Sequence, residues 1–195
     1  MPSARMARIS PFRVMELMER AEQLEALGHR VVHFEVGEPD FATAAPIVEA
    51  GRRALAEGRT KYTHALGIDG LREAIARDYR ERLGIGISPN RIAVTSGASG
   101  GLLLLSALLL DSARGLLIGD PGYPCNEAFV HVVGGLPQRI LLRPEAGYVP
   151  DVADVERAWQ QETQGILLAS PANPTGAVID DAQLEALAAF TRKRD

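Results

Sequence analysis

The stretch GLLIGDPGYPCNEAFVHVVGGLPQRILLR, Gly115 to Arg143, decides the fold class. Gly115–Asp120 reads as a short apolar strand that ends in an acid and a proline. CNEAFVHVVGG reads as a helix stopped by paired glycines, and Gln138–Arg143 reads as a second strand. A connection this long that carries a helix joins parallel strands, because antiparallel neighbours need only a tight turn.

The same alternation extends in both directions. Upstream, Ile92–Gly97 (IAVTSG) is predicted as a strand feeding a mostly buried helix, ASGGLLLLSALLL. Downstream come a helix in DVADVERAWQQ, a strand in GILLAS (Gly165–Ser170) and a helix in DDAQLEALAAFTRKR. The run Ile166–Ala169 is apolar enough to be buried on both sheet faces. Four strands alternating with helices predict a three-layer α/β/α fold with a mostly parallel sheet, preceded by an amino-terminal helix. That first helix is expected to be capped by Ser10, to start at Pro11 and to end at Gly28. Its apolar face is Val14, Leu17, Met18, Ala21 and Leu24. Val31–Gly37 is β-rich, Pro46 opens a helix that ends near Gly58, and Asp69 caps another. The last repeats Leu71, Ile75, Tyr79 and Leu83 along one face.

Composition removes several function classes. The 195 residues carry 21 basic and 25 acidic side chains, a formal charge of −4 with no basic block, which argues against nucleic acid or an anionic membrane as partner. GLLLLSALLL, the longest apolar run, is too short to span a bilayer, and MPSARMARIS leads into no signal-peptide apolar core. One cysteine, Cys125, excludes an internal disulfide and favours a cytoplasmic home. His29, His33, His64 and His131 fall in no metal-ligand spacing, so no metal site is expected.

In an open α/β sheet, ligands bind beyond the carboxyl ends of the strands. Three such ends are unusual here. VTSGASGG (Val94–Gly101) presents backbone N–H groups at a helix start, with Ser96, Ala98 and Ser99 beside them. That is an anion site or simply a tight strand–helix turn. DPGYP fixes the backbone around Tyr123, whose ring either stacks on a flat ligand or plugs the core edge. SPANPTG (Ser170–Gly176) holds Asn173 between two prolines, either as a preset amide donor or as an ordinary proline turn with an Asn-Pro bond open to the cis form. Cys125 and Asn126 start the next helix, and both stand near Tyr123. Phosphate cradle, stacking ring and amide donor together outline pyridoxal phosphate, and a nucleotide as well.

The ordered series VGEPDF (Val36–Phe41), KYTHALGIDGLREAIA (Lys61–Ala76), VTSGASGG, DPGYP and SPANPTG resembles the fold-type I pyridoxal-phosphate aminotransferases of class I/II over nearly the whole chain. The resemblance implies pyridoxal 5'-phosphate as cofactor and transamination between an amino acid and a 2-oxo acid. It implies that Ala98 and Ser99 bind the phosphate, Tyr123 stacks on the pyridine ring and Asn173 hydrogen-bonds the ring's phenolic oxygen. Gly37 and Asn173 would contact substrate, with the segment around Ile9 near the site mouth. Tyr62 would reach a partner's cofactor phosphate, which implies a homodimer with shared active sites. Residues 1–45 would form an arm and helix belonging with a small domain, and 46–195 part of the large cofactor-binding domain.

No catalytic residue is assigned in this stretch. The Schiff-base lysine, the aspartate facing the ring nitrogen and the carboxylate-clamping arginine of the family all follow the Asn-Pro-Thr-Gly turn at greater distance. Lys61 has no feature that marks it as that lysine. The sequence therefore reads as the amino-terminal half of an enzyme, inactive by itself. A lyase on the same fold, a non-catalytic cofactor-binding module and a nucleotide-binding protein are the other readings, the last without a phosphate loop or a ribose-binding acid.

Overall fold

The computed structural model describes residues 1–194, which form two compact units: Arg13–Ser96, and residues 1–12 together with 97–194.

The first unit contains α1 (Arg13–Ala26), α2 (Ala45–Ala56) and α3 (Asp69–Leu83). Helix α1 starts two residues after the expected Pro11, since Pro11 and Phe12 stay outside the helix. Of its predicted face, Ala21 is buried and Leu17 is exposed. Helix α3 is capped by Ile68 rather than Asp69, whose carboxylate instead accepts from Arg72 at 3.1 Å. The buried face of α3 is Arg72 and Ala76, and the predicted stripe of Leu71, Tyr79 and Leu83 is exposed. Arg72 explains the difference. Its guanidinium donates to the carbonyls of Pro89 at 2.7 Å and Ile92 at 3.1 Å, which pins α3 to the turn at Pro89–Arg91. A buried guanidinium is tolerated when carbonyls take its protons. Gly84 ends the helix in the left-handed conformation, φ 70°, as a carboxyl-terminal glycine does.

Two predicted β segments of this unit are not strands. Residues 92–96 lead into the next helix without regular structure, with the Val94 N–H donating to the Leu66 carbonyl at 3.0 Å. They join no ladder among the described residues, and a strand is defined by its neighbour. Residues 31–37 are irregular and are tethered by His33. Its Nδ1 lies 2.6 Å from Glu35 Oε1 and its Nε2 lies 3.2 Å from Glu25 Oε1 at the end of α1. The bond to Glu35, then that to Glu25, raises the imidazole above its ordinary 6.5, and the same bond holds Glu35 below its ordinary 4.5. The imidazolium form is the bound one, so the tether is complete below pH 6.5 and fades as pH rises through the raised folded-state value. On the acid side it fades as pH falls through the lowered value of Glu35. In an NMR titration, His33 is expected to titrate above 6.5 and to return toward that value in Glu35→Gln; a midpoint unmoved by that substitution contradicts the tether.

The second unit is built on a parallel sheet of β1 (Gly115–Asp120), β2 (Leu136–Leu141) and β3 (Thr163–Leu167), in the order β2-β1-β3. Gly115 lies opposite Leu136 and Asp120 opposite Leu141, while Ile118 pairs with Leu167. The carboxyl ends of all three strands therefore share one rim. Helices α4 (Gly97–Leu109), α5 (Cys125–Val132), α6 (Val152–Ala158) and α7 (Asp181–Arg192) complete the layers. Leu117 and Ile140 from the sheet meet Val155 of α6 and Leu187 and Phe190 of α7 in the main core. Val130 of α5 is buried with Leu110, close to Gly135. Capping boxes at Asp151/Asp154 and Asp180/Gln183 start α6 and α7. Gly115 is required by a close approach, because a Cβ there would stand 2.4 Å from the buried Gln138 side chain. Gln138 in turn accepts from the Thr163 hydroxyl at 2.6 Å and donates to Gln160 at 3.1 Å, so the network is satisfied.

The fold class is as predicted, with three strands in the sheet rather than four. Strand β3 ends at Leu167, short of Ser170, and its apolar residues are half-buried because β3 pairs on one side only. Helix α4 is also not the buried helix expected. Only its Ser106 is buried, and Leu104, Leu105, Leu108 and Leu109 are exposed, Leu108 by 77 %. A helix apolar on all sides is built to be surrounded, and α5 covers only part of α4.

Candidate functional site at the strand ends

Strand β1 runs directly into Pro121-Gly122-Tyr123-Pro124, which forms the entry to α5. The turn folds back closely on the end of its own strand. A Cβ on Gly122 would lie 2.2 Å from the Gly119 carbonyl oxygen, and the Asp120–Pro121 bond is cis. Tyr123 is thereby mounted half-buried on the rim. Cys125 and Ser99 are the side chains that act on its hydroxyl. The contact with the Cys125 sulfur, and then partial burial, push the phenol above its ordinary value of 10, and the Ser99 hydroxyl opposes the shift.

Ser99 stands in the first turn of α4 with Ala98 before it, and both are exposed. Helix α4 opens at Gly97, whose φ of 70° is the left-handed conformation that glycine adopts without strain. A Cβ placed on Gly97 would meet nothing within 4 Å, so the helix start is open.

Beyond β3 the chain folds into a turn closed by its own backbone. The Gly176 N–H donates to the Ala172 carbonyl at 2.7 Å, and the Ala172 N–H to the Ala177 carbonyl at 2.8 Å. The Ile179 N–H donates to Ser170 Oγ at 3.0 Å. Ser170–Pro171 and Asn173–Pro174 are both cis. With these bonds made by backbone and by Ser170, the Asn173 side chain is exposed and its amide has no hydrogen-bond partner among the described residues.

Tyr123 and Asn173 line one cleft, together with Asn126, Tyr148, Ile140 and Leu168. Its volume is about 70 Å³, well below the roughly 300–1,000 Å³ of a complete small-molecule site, so the cleft has room for the edge of a ligand only. Tyr123 also lines a second cavity of about 470 Å³, walled by Arg8, Ile9, Phe12, Cys125 and Arg139 among others. There Arg139 is held by Glu127 at 2.7 Å and Asp120 at 3.5 Å.

Of the residues singled out in the sequence, Ser99, Tyr123 and Asn173 are brought together through Tyr123, with Ala98 beside Ser99. Gly37 and Tyr62 are exposed residues of the other unit and line neither cavity. Asn126 lines the cleft in addition to starting α5. Phe12 and Tyr148 were not legible beforehand. Phe12 follows a Ser-Pro pair that reads only as a helix start, and Tyr148 sits in an irregular segment with φ 58°. Among the described residues, no group of three His, Cys, Asp or Glu side chains is arranged to hold a metal.

The open helix start, the mounted aromatic ring and the unpaired amide fit a phosphorylated heteroaromatic ring such as pyridoxal phosphate. Comparison with known proteins agrees with that chemistry. Residues 29–195 match the family model described as aminotransferase class I and II. The chain is 36% identical over 193 residues to the aspartate/prephenate aminotransferase of Thermus thermophilus, covering 99% of itself and 50% of that protein. It is 37% identical over 180 residues to the (5-formylfuran-3-yl)methyl phosphate transaminase of Methanocaldococcus jannaschii, covering 92% of itself and 46% of the relative. A solved structure of aspartate aminotransferase from Thermus thermophilus with maleate superposes with a TM-score of 0.93 at 35% identity, over 100% of this chain and 51% of that one. The chain spans about half the length of the relatives it matches, and by sequence and fold it belongs to the class I and II aminotransferases.

Proposed function

We propose that the whole protein transfers an amino group between an amino acid and a 2-oxo acid with pyridoxal 5'-phosphate as cofactor. The observation that carries this reading is the meeting of Ser99, Tyr123 and Asn173 at the carboxyl ends of β1 and β3, in a chain that belongs to this family. In this reading the N–H groups of Ala98 and Ser99 hold the phosphate where the α4 dipole favours negative charge. Tyr123 stacks on the pyridine ring, and the Asn173 amide donates to the phenolic oxygen. Gly37 lies against the substrate carboxylate, where the lack of a side chain leaves room. Tyr62, fully exposed in this chain, reaches the cofactor phosphate of a second copy in a homodimer. When bound, the cofactor supplies the electron sink that stabilises charge at the substrate Cα; these residues bind and orient it. The residue that bonds the cofactor carbon is not assigned to this stretch. No described helix is long and apolar enough to cross a membrane, and a cytoplasmic location is part of the proposal.

The test is a single turnover of the full-length protein loaded with pyridoxal phosphate and a ¹⁵N-labelled amino acid. The expected result is one equivalent of ¹⁵N on the cofactor and one of the matching 2-oxo acid. Release of ammonia or carbon dioxide, with no label on the cofactor, would assign lyase chemistry instead.

A further inference from the structure

Residues 1–12 pack with 97–194, and one of their contacts reaches Tyr123. The 3-10 turn Ala4–Arg8 sits against α5, where Arg5 Nη1 donates to the Val132 carbonyl at 2.6 Å. From that anchor the chain passes Ile9 and Pro11 along the 470 Å³ cavity and brings Phe12 into an edge-to-face contact with Tyr123. The centroids are 6.0 Å apart and the planes inclined by 77°. Prolines 121 and 124 fix the backbone on both sides of Tyr123, and Ser99 and Cys125 flank its hydroxyl. A fixed backbone leaves the ring free to rotate about its long axis. Phe12 is the aromatic contact that opposes that rotation, from the cavity side of the ring.

We propose that Phe12 is a positioning residue: the amino-terminal arm sets the plane of the Tyr123 ring before the cofactor arrives. The inference rests on Tyr123 being the stacking ring. A stacking partner already in its bound orientation loses less freedom on binding, so the gain appears as affinity. Phe12 is only half-buried beside an open cavity, so an edge-to-face contact rather than core filling is its principal interaction.

The experiment is a double-mutant cycle on the full-length protein, read as the pyridoxal phosphate dissociation constant by equilibrium dialysis, with thermal melts alongside. Phe12→Leu is expected to weaken binding about 2- to 12-fold, the range of one aromatic pair. Phe12→Tyr should restore wild-type affinity. In a Tyr123→Leu background, Phe12→Leu should change nothing further. An unchanged dissociation constant in Phe12→Leu beside a weakened Tyr123→Leu would overturn the role of the arm alone. An equal loss from Phe12→Leu in both backgrounds would also overturn it, by showing general loosening. If Tyr123→Leu itself binds as wild type, the stacking assignment fails and this proposal fails with it.

Discussion

Asn173→Ala in the full-length protein is expected to weaken pyridoxal phosphate binding by about ten- to a hundredfold, with the melting temperature unchanged. The size follows from the roughly 1.5–3 kcal/mol of a hydrogen bond to a charged oxygen. The separation from stability follows from the turn itself. It is closed by the Ala172, Gly176 and Ala177 backbone and by Ser170, and none of those bonds uses the Asn173 amide. Equilibrium dialysis and a thermal melt on the same preparation check both halves. Wild-type affinity would remove Asn173 from the site, and a lowered melting temperature would make it a structural residue.

The second large effect is on stability. Leu117 is completely buried on β1, between β2 and the helices α6 and α7, in contact with the cluster of Ile140, Val155, Leu187 and Phe190. Leu117→Ala is expected to cost about 2–5 kcal/mol, the transfer and cavity terms of a core leucine, with the upper end favoured by neighbours held in a sheet. The sheet keeps β1 in register with strands on both sides, so the backbone cannot collapse into the void. Urea unfolding of wild type and variant measures the difference; a loss below about 1 kcal/mol would show that the site relaxes.

What the sequence revealed divides along a physical line. β1, β2 and helices α5, α6 and α7 were legible because strand, turn and cap residues agree locally: Asp151 and Asp180 open capping boxes, and glycines 134 and 135 end α5. Residues 92–96 have the composition of a strand but join no ladder among the described residues, and no local pattern encodes a pairing strand. For the same reason α4 reads as buried and stands exposed: composition reports what a helix is suited to, not what packs against it. The stripe on α3 misled because Arg72, polar by any scale, was free to be buried once carbonyls of Pro89 and Ile92 met its protons. At the site, Tyr123 and Asn173 were conspicuous because prolines bracket them. The contact of Phe12 with Tyr123 spans 111 positions of sequence, a separation at which single residues carry no legible mark.

The most direct test of the account is a crystal structure of the full-length protein with pyridoxal phosphate bound. The account predicts phosphate oxygens within hydrogen-bonding distance of the Ala98 and Ser99 N–H groups, the pyridine ring stacked on Tyr123 and the Asn173 amide on the phenolic oxygen. A cofactor bound away from the carboxyl ends of β1 and β3, with Tyr123 and Asn173 untouched, would contradict it.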